Sequence, residues 1–206
     1  MATGEATDLL LDVDARLEGE PVLDWREVFG NANPVELEVG TGKGRFLIAA
    51  AQTRPQVNYV GVEWAAKYLR IAHLRSARRS LHNVRLVRAD AREFLEFFVP
   101  SLSLRAIHIY FPDPWPKKKH HKRRLFNLDF LREVERALEP GGRLWLATDH
   151  QGYFDSMTET LSHACCLVGV QAEWVGARTN YEEKYLMQGK GILRRVVEKR
   201  QPAPSG

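Results

Sequence analysis

Four carboxylates stand at one kind of position, where a short apolar run of strand type ends. Glu38 ends the run that starts at Val35, Glu63 ends Val57 to Val62, Asp90 comes shortly after Val84 to Val87, and Asp113 follows Ala106 to Tyr110. A fifth acid, Asp149, lies just past Arg143 to Ala147. Like charges gathered on one rim cost folding free energy unless a ligand uses them, so the repetition points to a binding site.

Between the first run and the next helical pattern sits Gly40-Thr41-Gly42-Lys43-Gly44, whose glycines permit positive φ and close approach of a ligand to the backbone. A dinucleotide site prefers the spacing G-x-G-x-x-G and a helix N-terminus free for pyrophosphate. Here the spacing is G-x-G-x-G, and Glu38 just before it would repel a phosphate. S-adenosylmethionine brings a cationic amino group, a sulfonium and an adenosine without phosphate, so carboxylates suit it. On that reading Gly40 and Gly42 approach the ligand, Glu38 faces its cationic end, Glu63 accepts from the ribose hydroxyls and Asp90 addresses the adenine amino group.

The run Lys117-Lys118-Lys119-His120-His121-Lys122-Arg123-Arg124 holds six basic residues, whereas the whole chain has a net charge of +4, so the remainder is mildly acidic. Positive charge this local suits a defined polyanion contact. If all six cations met phosphates, binding would weaken with salt at a log–log slope of roughly −4 to −5. Pro112 and Pro114 hold Asp113 rigidly at the strand exit, and Trp115 offers either a stacking face for a base or packing beneath the loop. His120 and His121 suit phosphate contact better than a metal, for which no ligand spacing accompanies them.

The elements that must position these residues alternate. Strands at Val35 to Val39, Val57 to Val62, Val84 to Val87, Ala106 to Tyr110 and Arg143 to Ala147 are separated by helical patterns at Phe46 to Gln52, Ala65 to Ser80, Ala91 to Phe98 and Leu128 to Leu138. This is the pattern of an α/β fold with a parallel sheet covered on both faces. Glu139-Pro140-Gly141-Gly142 stops the fourth helix. A helix near Tyr153 to His163 and two strands follow, Leu167 to Trp174 and Ile192 to Glu198, the last read as a charged edge strand. The organisation expected is an N-terminal appendage over 1–33, one domain over 34–200 and a disordered tail over 201–206, with 1–33 either packing on the sheet or reaching over the site. No signal pattern or apolar run of about 20 residues occurs, and the only cysteines, Cys165 and Cys166, are adjacent, which agrees with a cytoplasmic setting.

The stretch Phe111-Pro112-Asp113-Pro114-Trp115-Pro116-Lys117, continued to Arg124, resembles that of the bacterial tRNA (guanine-N7)-methyltransferase family. It is joined by the glycine loop, Val60-Gly61-Val62-Glu63, Asn83 with Asp90-Ala91, Thr148-Asp149 and Thr179-Asn180-Tyr181-Glu182, so that the resemblance spans about Pro34 to Arg195. It implies a class I, Rossmann-like methyltransferase fold with a mostly parallel seven-stranded sheet, S-adenosylmethionine as methyl donor and the variable-loop guanine of tRNA as acceptor. It also implies substrate-binding roles for Lys117, Asp149, Thr179, Tyr181 and Glu182, a catalytic and cofactor-side role for Asp113, and tRNA backbone contacts for Lys119, His120, His121, Lys122, Arg123 and Arg124. Near the C-terminus, Lys190-Gly191-Ile192-Leu193-Arg194-Arg195 follows the shorter versions of the family pattern.

Three rival readings share parts of this pattern. They are a methyltransferase with a protein or small-molecule acceptor, a tRNA-binding module without cofactor, and a nicotinamide dehydrogenase. The basic run argues against the first, the intact acid set against the second and the glycine spacing against the third. The arginines at 70, 75, 78 and 79 read as a solvated helix face. A monomer and a homodimer are equally compatible with the sequence.

Overall fold

The computed structural model describes residues 9–11, 22–174, 182, 187–189 and 191–201. Eight strands form one sheet: β1 (Leu10–Leu11), β2 (Val35–Val39), β3 (Asn58–Val62), β4 (Val84–Val87), β5 (Leu104–Tyr110), β6 (Leu138–Thr148), β7 (Leu167–Gly169) and β8 (Leu193–Lys199), in the order β1-β4-β3-β2-β5-β6-β8-β7. All neighbours from β1 to β6 pair parallel, and β8 pairs antiparallel with both β6 and β7. The chain steps outward from β2 through β3 to β4 and then returns to lay β5 on the other side of β2. The crevice beyond the carboxyl ends of β2 and β5 is therefore the topological switch point, where open α/β sheets bind ligands.

The helices are α1 (Trp25–Phe29), α2 (Arg45–Thr53), α3 (Ala66–Ala77), α4 (Ala91–Glu93), α5 (Leu128–Ala137) and α6 (Gln151–Leu161), with a π-helical turn at Phe94–Phe98 and a 3-10 turn at Lys118–Arg123. Two apolar clusters fill the two sides of the sheet. Phe46, Leu47, Ala50, Leu69 and Ala72 bring α2 and α3 to one side, and Trp25, Phe94, Phe130, Leu131, Tyr153 and Met157 bring α1, the π turn, α5 and α6 to the other. Because side chains alternate along a strand, β2 gives Val35, Leu37 and Val39 to the second cluster and turns Glu36 and Glu38 toward α2.

Several expectations change. An eighth strand exists because Leu10–Leu11 pairs with β4, and Leu23, Trp25 and Phe29 are buried in the core, so the described residues of 1–33 pack on the sheet. The fourth helix does end before Glu139-Pro140-Gly141-Gly142, but that segment lies inside β6, where Gly141 at φ 80° accompanies a register shift against β5. The run Leu167 to Trp174 keeps strand form only to Gly169. The Ala91 to Phe98 helix relaxes after three residues into the π turn. Finally, β8 is interior, and its charge is accommodated by partners: Arg143 Nε donates to Glu198 across the β6–β8 ladder at 2.8 Å, and Arg194 pairs with Glu182. The edge on that side is β7.

Candidate active site

A cleft of about 610 Å³ opens at the switch point, a size typical of small-molecule sites. It collects Glu38, Gly40, Gly42, Glu63, Asp90 and Asp113 from the ends of β2, β3, β4 and β5. All six cofactor-side residues expected from sequence therefore meet in one place.

Its floor is built by the turn from β2 into α2. Gly40 N and Thr41 N donate to Val62 O at 2.9 and 3.0 Å, which ties the turn to β3. Gly40 has φ 72° and nothing within 4 Å of where a Cβ would stand, so its bare side is open to a ligand. At Gly44 the reason for glycine differs: with φ 73°, a Cβ would meet Ala72 at 3.0 Å, and the close packing of α3 requires its absence.

Glu38 is 5% exposed. Its Oε2 accepts from Thr41 Oγ1 at 2.6 Å, and the Leu47 backbone N–H in the first turn of α2 also donates to the carboxylate. Burial outweighs these bonds, and with the nearby charge of Glu63 it pushes the carboxyl up to about 8. The acid also occupies the helix N-terminus that a dinucleotide would need for its pyrophosphate. Glu63 is used differently. Its two oxygens accept from Gly42 N and Ala65 N, both at 2.8 Å, locking the glycine turn to the start of α3. Each oxygen keeps a second lone pair for a hydroxyl donor. Asp90 is the N-cap of α4, with Oδ1 accepting from Arg92 N at 2.8 Å. Capping and ligand binding thus fall on one side chain.

Asp113 is exposed at the lip of the cleft. The two residues that bracket its Pro-Asp-Pro segment both have left-handed backbone, Phe111 at φ 54° and Trp115 at φ 42°. Strain of this kind in bulky residues persists only where surroundings impose it, and it accumulates at functional loops. Trp115 lines the cleft with the edge of His120 against it (ring centroids 5.7 Å) and the Arg123 guanidinium 5.0 Å from its centre. Within the basic turn, Lys117, Lys118, Lys119, His121, Lys122 and Arg123 are exposed and His120 is half-buried.

Arg124 corrects the sequence reading. It is only 8% exposed, donates Nε to Pro114 O at 2.9 Å and lies 4.8 Å over the Tyr153 ring. An arginine spent on a loop carbonyl and an aromatic face holds the loop and is not offered to phosphate, so five exposed cations remain in the run. Asp149 follows β6 on the same carboxyl edge but does not line the cleft, and neither does Lys117. Glu182 is buried and pairs with Arg194. Thr179 and Tyr181 lie outside the described residues, as do Asn180 and residues 202–206.

Sequence reasoning missed Trp64 and Tyr68, which line the cleft while 69% and 43% exposed. The available signal was an aromatic directly after the acid of β3. It also missed Arg92, a cleft residue whose guanidinium donates to the carbonyls of Arg123 and Arg124 at 3.2 and 3.3 Å and so props the basic turn.

A parallel sheet with an antiparallel strand inserted beside its end, and a buried acid beside an open glycine turn at the switch point, define a class I S-adenosylmethionine-dependent methyltransferase. The residues fit that cofactor, since a desolvated carboxyl that meets no cation among the described residues is what a sulfonium and ammonium group would satisfy. The match to a crystal structure of the aminoglycoside resistance methyltransferase NpmB1 covers 84% of this chain and 91% of that one at TM-score 0.60 and 18% identity, and shows the fold. A family model described as putative methyltransferase matches residues 32–195. The tRNA (guanine-N(7)-)-methyltransferase of Geobacillus thermodenitrificans is 39% identical over 177 residues, 82% of each chain. That of Bacillus subtilis is 34% identical over 201 residues, 94% of this chain and 92% of its own. The chain belongs to the bacterial tRNA (guanine-N7)-methyltransferase family.

Proposed function

We propose that this protein methylates N7 of the variable-loop guanine of tRNA, position 46, using S-adenosylmethionine. The observation that carries the reading is the cleft itself, where a desolvated acid, Glu38, and an exposed one, Asp113, stand beside a turn of exposed cations. On this reading the chain works in the cytoplasm, in keeping with the lack of any helix long and apolar enough to cross a membrane among the described residues.

The cofactor supplies an electrophilic methyl group on a cationic sulfur. Glu38 answers its positive charge, Gly40 and Gly42 give room along the backbone, Glu63 accepts from the ribose and Asp90 from the adenine amino group. Trp64, exposed at the cleft, serves as an aromatic neighbour for the base. On the acceptor side, N7 of guanine carries a free lone pair, so no proton need be removed before attack and positioning dominates the rate. Asp113, held between two prolines and two strained residues, orients the guanine and stabilises the positive charge that grows on its ring. Lys117, Asp149, Thr179, Tyr181 and Glu182 complete the substrate side. Lys119, His120, His121, Lys122 and Arg123 hold phosphates, with Arg92 and Arg124 fixing their turn from behind.

Asp113→Ala tests the assignment. Turnover should fall by about 10²-fold or more, the loss typical of one oriented electrostatic group, while tRNA affinity stays within a few-fold. Near-normal turnover would remove Asp113 from the mechanism. Incubation with methyl-labelled donor and bulk tRNA, followed by mapping of the modified base, tests the substrate. Label at a position other than guanine N7, or on protein, would overturn the reading. The five exposed cations of the basic turn by themselves would contribute a salt slope of roughly −3.5 to −4.5 to tRNA binding.

A further inference from the structure

The residues from Trp64 to Ala89 include seven basic side chains and not one acidic side chain. Most fall on or beside α3, and this surface is distinct from the basic turn. The turn is held from the side of α4 and α6, through Arg92 and Tyr153, whereas α3 covers the opposite face of the sheet.

Part of this charge forms a continuous surface that begins in the cleft. Lys43, exposed in the glycine turn, has its ammonium 5.9 Å above the ring of Tyr68. Arg75 donates to Lys43 O at 3.2 Å, and Arg79 donates to Arg75 O at 2.9 Å. Both arginines are bonded only to carbonyls, and among the described residues no acid pairs with either. Several arginines elsewhere do meet acids, Arg132 with Asp129 and Arg136 with Glu133 along α5, Arg143 with Glu198 and Arg54 with Glu36, whereas Arg92 and Arg124, like the α3 pair, donate to carbonyls. Unrelieved like charge on one helix costs stability, and a polyanion relieves it.

We propose that Lys43, Tyr68, Arg75 and Arg79 form a second contact for the substrate RNA. It holds the sugar-phosphate backbone on the side of the target guanine away from the basic turn. The inference rests on the RNA-methyltransferase reading above. The two basic surfaces grip the strand on either side of the cleft, so that the guanine between them is presented to Asp113. Contacts of this kind orient the RNA and add affinity without reading sequence.

The test is the full-length Arg75→Gln/Arg79→Gln variant, titrated with unmodified tRNA over a salt series, with S-adenosylmethionine affinity measured by calorimetry. Loss of two phosphate contacts should raise the tRNA Kd roughly 10- to 30-fold at about 0.15 M salt and make the log–log slope shallower by about 1.4 to 1.8. Cofactor affinity should stay within a few-fold of the wild type. An unchanged slope with cofactor binding intact overturns the proposal and leaves α3 as a hydrated face. Because Arg75 touches the glycine turn, Arg79→Glu serves as the variant that spares it, and an unchanged slope there overturns the proposal equally. Arg132→Gln on α5 is the control expected to leave the slope alone. If neutralising Lys118, Lys119 and Lys122 also fails to weaken tRNA binding, the RNA reading itself falls. If those changes weaken binding and the α3 changes do not, only the second contact falls.

Discussion

Glu36 and Glu38 stand two residues apart on β2, face the same side of the sheet and are both buried, yet their surroundings make them opposites. Glu36 is fully partnered. Arg54 bonds both its oxygens, at 3.0 and 2.9 Å, and His108 Nε2 lies 3.0 Å from Oε2. Burial alone would raise its pKa, but the hydrogen bonds and charges of His108 and Arg54 bring it below the ordinary carboxylate value. Burial keeps His108 neutral against the pull of Glu36. Its Nε2–H therefore donates to Glu36, while Nδ1 accepts from the Tyr110 hydroxyl at 2.8 Å. Glu38 has a hydroxyl and a backbone N–H but, among the described residues, no cation, and burial raises it to about 8. The same residue type on the same strand serves the fold where the protein supplies the counter-charge and serves the site where a ligand must.

The largest expected effect falls on the partnered acid. Glu36→Ala strands Arg54 and His108 and should cost about 3–5 kcal/mol of unfolding free energy, as for other broken buried pairs. Denaturant unfolding checks this, and a loss under about 1 kcal/mol would erase the contrast. Glu38→Gln should do the reverse. Cofactor affinity should drop by roughly 10- to 100-fold, the worth of one charged hydrogen-bonded contact. Stability near pH 8 should hold or rise, because a buried ionisable group has been removed. Unchanged cofactor affinity would show that Glu38 faces no cation.

A smaller effect lies in the pH dependence. The folded pKa of Glu38 is raised from 4.5 to about 8, so the folded state keeps a proton that the unfolded chain releases. The stability it confers is complete below about pH 4.5 and is lost as pH rises through about 8, with a slope near 1.4 kcal/mol per pH unit at most. Glu38→Gln should flatten that decline in urea titrations between these limits. Cofactor binding re-ionises the carboxyl, so calorimetry near pH 6.5 in buffers of different ionisation enthalpy should register release of about one proton. No such release is expected from Glu38→Gln, and a wild type that releases none would mean that Glu38 is already charged.

Much of the site was legible because it rests on local rules. Period-two apolar runs, followed by an acid and then a helical pattern, place each carboxylate at the carboxyl edge of a parallel sheet, and Glu38, Glu63, Asp90 and Asp113 are found there together. What was not legible depended on residues far apart in sequence. Arg124 reads like its five basic neighbours, but the ring of Tyr153 and the carbonyl of Pro114 turn it inward. β8 reads as an edge strand until Glu198 finds Arg143. Trp64 carries no sequence signal beyond following an acid, yet it sits on the rim with most of its surface exposed.

The amino-acid order by itself determined an alternating α/β chain, a rim of acids, an open glycine turn and a dense cationic stretch, because steric preference and periodicity act over a few residues. The tertiary structure alone decided which charges are spent and which remain available. Glu36 and Glu38 are equivalent by local pattern, and only packing brings Arg54 and His108, 18 and 72 positions away, to the first of them. Desolvation makes that pairing consequential, since a buried charge must find a partner within the protein or wait for one from outside.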